Sequence, residues 1–259
     1  MAEVRAVYKQ KGSKSDPNNY RPISVLPILG RTFEKLIARQ LYEYCDENVI
    51  LPPEQFGFRR HSSCEMALFA ATDSWMESVD NGSYVGALLV DLSKAFDTVP
   101  HQLLLTELLE IGCSSEVLNW FCSYLTERQQ RVITYEEITE WMSVSRGFPQ
   151  GSGLSPLLFN IFVRKLPNQC SSSTFQFADD TTLAEADPSL PAVAVNLTTS
   201  YYAIKEFCDS HDLKINPEKT QLIILKKPTK PIPEDFHLTL DKCIIKPQNT
   251  VKLLGVTLD

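Results

Sequence analysis

Seven consecutive uncharged residues, Tyr84-Val-Gly-Ala-Leu-Leu-Val, run directly into a carboxylate, Asp91. A continuous apolar run of this length suits a strand covered on both faces, because a strand with one wet face alternates apolar with polar side chains. Asp91 therefore emerges from a core. An unpaired ionised carboxylate is expensive to bury, and neither chain neighbour of Asp91 offers a compensating cation. A second acidic pair has similar surroundings. Thr174-Phe-Gln-Phe-Ala-Asp-Asp-Thr-Thr-Leu-Ala-Glu185 alternates apolar residues on either side of Asp179-Asp180, the pattern of a tight hairpin with acids at its tip. Alone, an Asp-Asp pair is more often a solvated turn. Carboxylates from two adjacent strands, however, suit a pair of Mg²⁺ ions about 3.5–4 Å apart, the arrangement of phosphoryl or nucleotidyl transfer.

Around these acids the chain alternates helices with strands. The opening through Pro27, rich in Pro, Asn, Asp, Gly and Ser, reads as an extended, turn-rich arm without regular structure. From Thr32, the residues Phe33, Leu36, Ile37, Leu41 and Tyr44 recur at helical spacing, and Pro52-Pro53 bounds that helix. Ser62 and Glu65 form a capping-box pattern ahead of a helix with Cys64, Ala67, Leu68, Ala71 and Trp75 on one face. Pro100 opens a Leu-rich helix closed by Gly112, and Val117, Leu118, Phe121 and Leu125 mark another. Residues 130–135 and 141–144 read as strands. Ser155-Pro156 starts a helix with Leu157, Leu158, Ile161 and Phe162 inward, and the helix after Pro191 buries Val193, Leu197, Tyr201, Ile204 and Cys208. A strand at 221–225, a Pro-Lys linker and two or three short strands finish the chain. This order predicts an α+β architecture, with helices backing a mostly antiparallel sheet.

At 259 residues and 43% hydrophobic content the chain can bury a sizeable core in one or two domains. It opens without a signal-peptide-like apolar run, and no stretch approaches the roughly 18 apolar residues of a membrane span. An intracellular protein of the nucleus or cytoplasm is expected, neither secreted nor membrane-bound. Seven cysteines in odd number, without close pairing, argue against a disulfide framework or a zinc site. His61, His101, His211 and His237 make no ligand spacing, and surface or capping positions suffice for them. A net charge of −7 predicts weak affinity for nucleic acid, although Lys9, Lys11, Lys14 and Arg59-Arg60 can build a local positive groove.

Three segments in order carry a family resemblance. Asp91-Leu-Ser-Lys-Ala-Phe-Asp97, Gly147-Phe-Pro-Gln-Gly-Ser-Gly-Leu-Ser-Pro-Leu-Leu-Phe159 and Phe177-Ala-Asp-Asp180 resemble successive reverse transcriptase motifs. Tyr20-Arg-Pro-Ile-Ser, Gln55-Phe-Gly-Phe-Arg, Ser123-Tyr-Leu-Thr-Glu-Arg-Gln-Gln-Arg-Val, Asn216-Pro-Glu-Lys-Thr and Leu253-Leu-Gly-Val extend the likeness over nearly the whole chain. It is most similar to the polymerases of non-long-terminal-repeat, LINE-type retrotransposons. The resemblance implies an RNA-directed DNA polymerase with a right-hand fold, its mostly antiparallel palm sheet backed by helices. It implies a fingers-like region at 1–83, a palm at 84–226 with fingers elements interleaved at about 115–150, and a linker with short strands at the palm edge at 227–259.

By the same resemblance Asp91, Asp179 and Asp180, with the Leu92 carbonyl, would hold two Mg²⁺ ions, or Mn²⁺ in their place. Phe96 matches the aromatic position beneath the incoming sugar, where a ring collides with a ribose 2′-OH; its competing reading is a core aromatic. Gln150 and Gly151 match the element lying against the nucleotide, the glycine allowing close backbone approach; a plain turn is the alternative. Arg59 matches the fingers arginine that grips the triphosphate. Lys219 matches a proton donor to pyrophosphate, against an ordinary exposed lysine. Tyr20 and Arg21 would contact the template arm, while Asp97 is read as a helix cap. The implied partners are an RNA template, a DNA primer and deoxynucleotides, without a membrane; the oligomeric state stays open.

Two departures from the family pattern bear on activity. The sequence stops at Asp259, where family members continue into a thumb, so the expected fold lacks a thumb and has no room for an endonuclease. Ile161-Phe-Val-Arg-Lys-Leu-Pro167 replaces a Tyr-Ile-Asn-Asp-Leu-Pro-like run and puts Lys165 where the family has an acid. A truncated, non-catalytic or co-opted RNA-binding domain is therefore the alternative function. An unrelated Mg²⁺ phosphohydrolase would account for the acids but not for Pro149-Gln150-Gly151 or Phe96.

Overall fold

The computed structural model describes residues 2–10, 12–134 and 137–259. Lys11 of the basic cluster and Tyr135 at the end of an expected strand lie outside the described residues. The chain divides into two compact units, one of residues 1–50 and 96–162, the other of residues 51–95 and 163–259.

In the first unit the opening segment is not the irregular arm its composition suggests. It forms β1 (Ala2–Tyr8) and β2 (Tyr20–Val25), paired antiparallel from Glu3 opposite Val25 to Tyr8 opposite Tyr20. The turn-forming residues are concentrated between the two strands, while Ala2 and Val4 alternate inward. Pro22 is tolerated because β2 is an edge strand. β1 also pairs in parallel with β4 (Gln129–Ile133), which pairs with the short β5 (Met142–Ser143).

Helix α1 (Ile28–Glu47) begins before Thr32 and buries Glu34, Ala38, Leu41 and Cys45. Phe33 and Leu36, expected inward, are about half exposed, at 51% and 46%. The buried stripe is helical in period but turns on a charged residue. Glu34 enters the interior because the Tyr124 hydroxyl donates to its Oε1 at 2.8 Å. Helices α4 (His101–Glu110), α5 (Ser115–Leu125) and α6 (Ser155–Phe162) complete this unit, and Leu157, Leu158, Ile161 and Phe162 of α6 are buried as expected.

The second unit is built on β3 (Tyr84–Val90), the apolar run of the sequence. β3 lies inside an antiparallel sheet with β6 (Ser173–Phe177), β7 (Asp180–Asp187) and β8 (Gln221–Leu225), in the order β6-β7-β3-β8. Both of its faces are covered. Val85 and Ala87 join a core with Ala71, Trp75 and Val79 of α2 (Cys64–Asp80). On the other face, a Cβ placed on Gly86 would lie 2.6 Å from Val193 and 2.7 Å from Leu197 of α7 (Leu190–Ser210). The cap of α2 is Ser63, which accepts from the Met66 N–H, rather than Ser62. All five residues expected inward on α7 are buried. Two hairpins follow, β9 (Leu238–Leu240) with β10 (Cys243–Ile245), and β11 (Val251–Leu253) with β12 (Val256–Leu258). Helix α3 (Ala95–Thr98) spans the change from one unit to the next. No helix among the described residues is long and apolar enough to cross a membrane.

Candidate active site

Strand register brings the acids of the second unit to one end of its sheet. The β3–β7 ladder closes with Val90 opposite Thr181, so the next residues outward are Asp91 and Asp180. Opposed residues of antiparallel strands stand about 4.5–5.5 Å apart at Cα. β6 and β7 pair up to Phe177 opposite Asp180, leaving Ala178 and Asp179 as a two-residue turn with Ala178 at φ 59°. Past the end of β3, the Asp91 carbonyl accepts the Asn216 N–H at 2.9 Å and Leu92 bridges Ile215. The Asn216 side chain accepts the Glu218 N–H at 3.1 Å, folding the turn that delivers Lys219. Lys219 Nζ thereby reaches within 3.6 Å of Asp91 Oδ2.

This end of the sheet is short of positive charge. Among the described residues no hydrogen-bond donor reaches the buried Asp91 Oδ2, and Lys219 supplies only a long ion pair from a mostly exposed side chain. Desolvation raises the Asp179 carboxyl above the usual range; its own backbone N–H opposes this, and the Asp91 charge adds to it. The Asp180 carboxyl is pushed up to about 6, first by desolvation in the turn and then by Asp179 and Asp91. Asp180 also keeps an exposed face, so water moderates the first cause and the direction carries the argument. Among the described residues no three His, Cys, Asp or Glu side chains converge as a ready-made metal cluster. The three carboxylates are repelling neighbours rather than a preassembled cage. Their hard oxygen donors, only partly compensated charge and undonated Oδ2 nonetheless fit a hard divalent cation. A cavity of about 460 Å³ opens beside them, lined by Asp91, Asp180, Lys219, Gln248 and Lys252 among others.

Phe96, Gln150 and Gly151 belong to the first unit. Phe96 stacks on Phe159 with ring centroids 4.4 Å apart, and its carbonyl accepts the Phe148 N–H at 2.9 Å. Gln150 Nε2 donates to Asp97 Oδ1 at 2.9 Å, and the Gln150 carbonyl accepts the Ser24 N–H at 2.8 Å. Gly151 takes φ 105°, a conformation that favours glycine. The His101 Nε2 lies 2.8 Å from the Gly147 carbonyl. Burial lowers the His101 pKa, which favours the neutral ring, and an Nε2–H tautomer then donates to that carbonyl.

A model of the family described as "Reverse transcriptase (RNA-dependent DNA polymerase)" matches residues 9–258. The chain belongs to the reverse transcriptase family. Among curated relatives, a probable RNA-directed DNA polymerase from transposon BS of Drosophila melanogaster is 30% identical over all of this chain. The RNA-directed DNA polymerase from the mobile element jockey of the same organism is 27% identical, again over all of it. The chain spans 29% of the length of each of these relatives. Solved telomerases share the fold. That of Candida tropicalis aligns at TM-score 0.59 and 11% identity, over 86% of this chain and 41% of the other. That of Candida albicans aligns at TM-score 0.57 and 13% identity, over 99% of this chain and 45% of the other.

For a reverse transcriptase domain, sequence reasoning singled out the acids and Lys219 as candidates, and the structure brings Lys219 to Asp91; it missed how the loops of the first unit are held. Asp97 lies within α3, the cap of the following helix α4 is Pro100, and the Asp97 carboxylate holds the Gln150 amide, so the cap reading is replaced. His101 was set aside for want of ligand spacing, yet its ring holds a backbone carbonyl of the glycine-rich loop. No spacing rule pairs residues 53 and 46 positions apart, so neither contact had a local signal. Arg59, in the same unit as the acids, donates to the Pro52 carbonyl at 2.6 Å. Tyr20 donates to the Lys14 carbonyl at 2.9 Å, and Arg21 is exposed on edge strand β2.

Proposed function

We propose that this chain carries out RNA-directed DNA synthesis, joining deoxynucleotides to a primer 3′-hydroxyl on an RNA template. The register that sets Asp91 beside Asp180, one residue from Asp179, carries this reading. Two Mg²⁺ ions, or Mn²⁺, held by Asp91, Asp179, Asp180 and the Leu92 carbonyl would activate the attacking hydroxyl and stabilise the leaving oxygen. The chain's own groups supply the rest. Lys219, beside Asp91, holds a proton on Nζ for the departing pyrophosphate. Arg59 spends one of its five N–H donors on the Pro52 carbonyl and keeps others for phosphate oxygens. Phe96, backed by Phe159, presents a ring that excludes a ribose 2′-hydroxyl. Gln150 and Gly151 contact the nucleotide, the amide oriented by Asp97. Such substrates put the work in the nucleus or cytoplasm.

The deciding experiment extends a DNA primer on an RNA template in Mg²⁺, comparing the chain with Asp179→Asn. Metal-dependent incorporation that the substitution abolishes is expected. Equal incorporation by both proteins would reject the assignment, and RNA binding without extension by either would select the RNA-binding alternative.

A further inference from the structure

A loop far upstream of the acids is strapped across the turn that carries them. Phe56 N–H donates to the Gln176 carbonyl and Gln176 N–H to the Glu54 carbonyl, both at 2.8 Å, so the loop extends the sheet at the edge strand β6. From this position the fully buried Gln55 side chain reaches the turn itself. Its Oε1 accepts the Ala178 N–H at 3.0 Å and the Gly57 N–H at 2.9 Å, while its Nε2 approaches the Ala178 carbonyl at 3.4 Å. The primary amide thus pairs with Ala178 as a second peptide group would. Gly57 completes the strap, since a Cβ there would lie 2.2 Å from the Ala178 nitrogen. Only glycine permits so close a crossing.

Ala178 is also the strained residue of the turn. Its φ of 59° is a left-handed conformation that costs an alanine energy and persists only where the surroundings fix it. Ala178 immediately precedes Asp179 and Asp180, so its backbone sets where both carboxylates leave the sheet. We infer that Gln55, with Gly57, is a positioning residue that locks the Ala178 turn and thereby aims Asp179 and Asp180 at a divalent cation. This deepens the polymerase reading and rests on its assignment of the acids. Gln55 contacts neither substrate nor metal; it acts through the backbone of one residue.

The test uses the 259-residue chain with Mn²⁺ alone, titrated by electron paramagnetic resonance, alongside the melting temperature. Gln55→Ala and Gly57→Ala are each expected to weaken Mn²⁺ binding by about tenfold to a hundredfold, as loss of groups that orient metal ligands does. Asp179→Asn marks the carboxylate site itself. A role confined to global stability would lower the melting temperature and leave the affinity of the folded protein unchanged, and that outcome overturns the proposal. If Asp179→Asn binds Mn²⁺ like the parent, the metal assignment of the acids fails instead. Hydrogen exchange on the parent protein decides the strap whether or not the variants fold. The Ala178 amide should be protected, and exchange at the rate of an open loop would refute the contact.

Discussion

Lys219 places its Nζ 3.6 Å from Asp91 Oδ2, a charge pair just beyond hydrogen-bond length. It sets a positive charge beside Asp91, one of the carboxylates proposed to hold a divalent cation. An exposed pair of this kind contributes under about 1 kcal/mol, so it can hold the site without locking it. Lys219→Ala should lower the Mg²⁺ concentration that half-saturates thermal stabilisation, by up to roughly fivefold, because the competing charge is gone. A higher or unchanged half-saturation point would show that Lys219 does not oppose the ion.

The raised Asp180 carboxyl gives a pH dependence of definite sign. Its ordinary value is 3.8 and the folded protein pushes it up to about 6, so the folded chain binds the proton more tightly than the unfolded chain does. Stability from this group is therefore present at low pH and lost as pH rises between those two values. In metal-free buffer at neutral pH, Asp180→Asn should unfold at a higher temperature than the parent, with the gap closing toward pH 4. Discounted for exposure, the gap corresponds to less than about 1 kcal/mol, or at most roughly 2–4 °C. A gap that widens on acidification would reverse the stated sign.

What the sequence disclosed follows from how local each signal is. β3 and α7 could be read because their buried residues form an uninterrupted run or a helical stripe. The apolar runs flanking the acids put Asp91 and the Asp179 turn on adjacent strands, as the pairing of β3 with β7 has them. β1 and β2 were hidden because the turn residues between them dominate the composition, and α1 was misturned because Glu34 looks like a surface residue until Tyr124 is seen donating to it. The Gln55 and Asp97 side-chain contacts join distant parts of the chain, and only the folded backbone brings them together.

Gly86 tests the packing beneath the acids. A Cβ at this position would meet the ends of Val193 and Leu197 within 2.7 Å, so α7 must shift or those side chains must leave their rotamers. Overpacking of a tight core costs about 1–3 kcal/mol. Gly86→Ala should lower the urea midpoint by that equivalent with an unchanged slope. Parent-like stability would mean that α7 does not rest on β3 at this point.

Phe96 is expected to discriminate sugars through its ring. Phe96→Val removes the face that stacks on Phe159 and leaves space in its place. Incorporation of ribonucleotides relative to deoxynucleotides should rise at least roughly tenfold, given about 1–3 kcal/mol for a steric contact of this size. Unchanged sugar preference in single-nucleotide incorporation would return Phe96 to a packing role.

Asp97 and Gln150 should behave as one unit. The Asp97 carboxylate accepts from Gln150 Nε2 at 2.9 Å, so it fixes which end of the amide faces away and leaves Oε1 for the proposed nucleotide contact. A hydrogen bond to a charged group contributes about 1.5–3 kcal/mol, which corresponds to roughly tenfold to a hundredfold in an equilibrium. Asp97→Ala should therefore raise the deoxynucleotide KM by about tenfold with a smaller change in kcat, because orientation of the bound nucleotide is lost before chemistry is touched. Gln150→Ala should do the same, and the double variant should be little worse than either single one, since each removes the same contact. Additive losses in that cycle would show that the two side chains act separately, and would leave the orientation of Gln150 to the backbone bond between its carbonyl and Ser24.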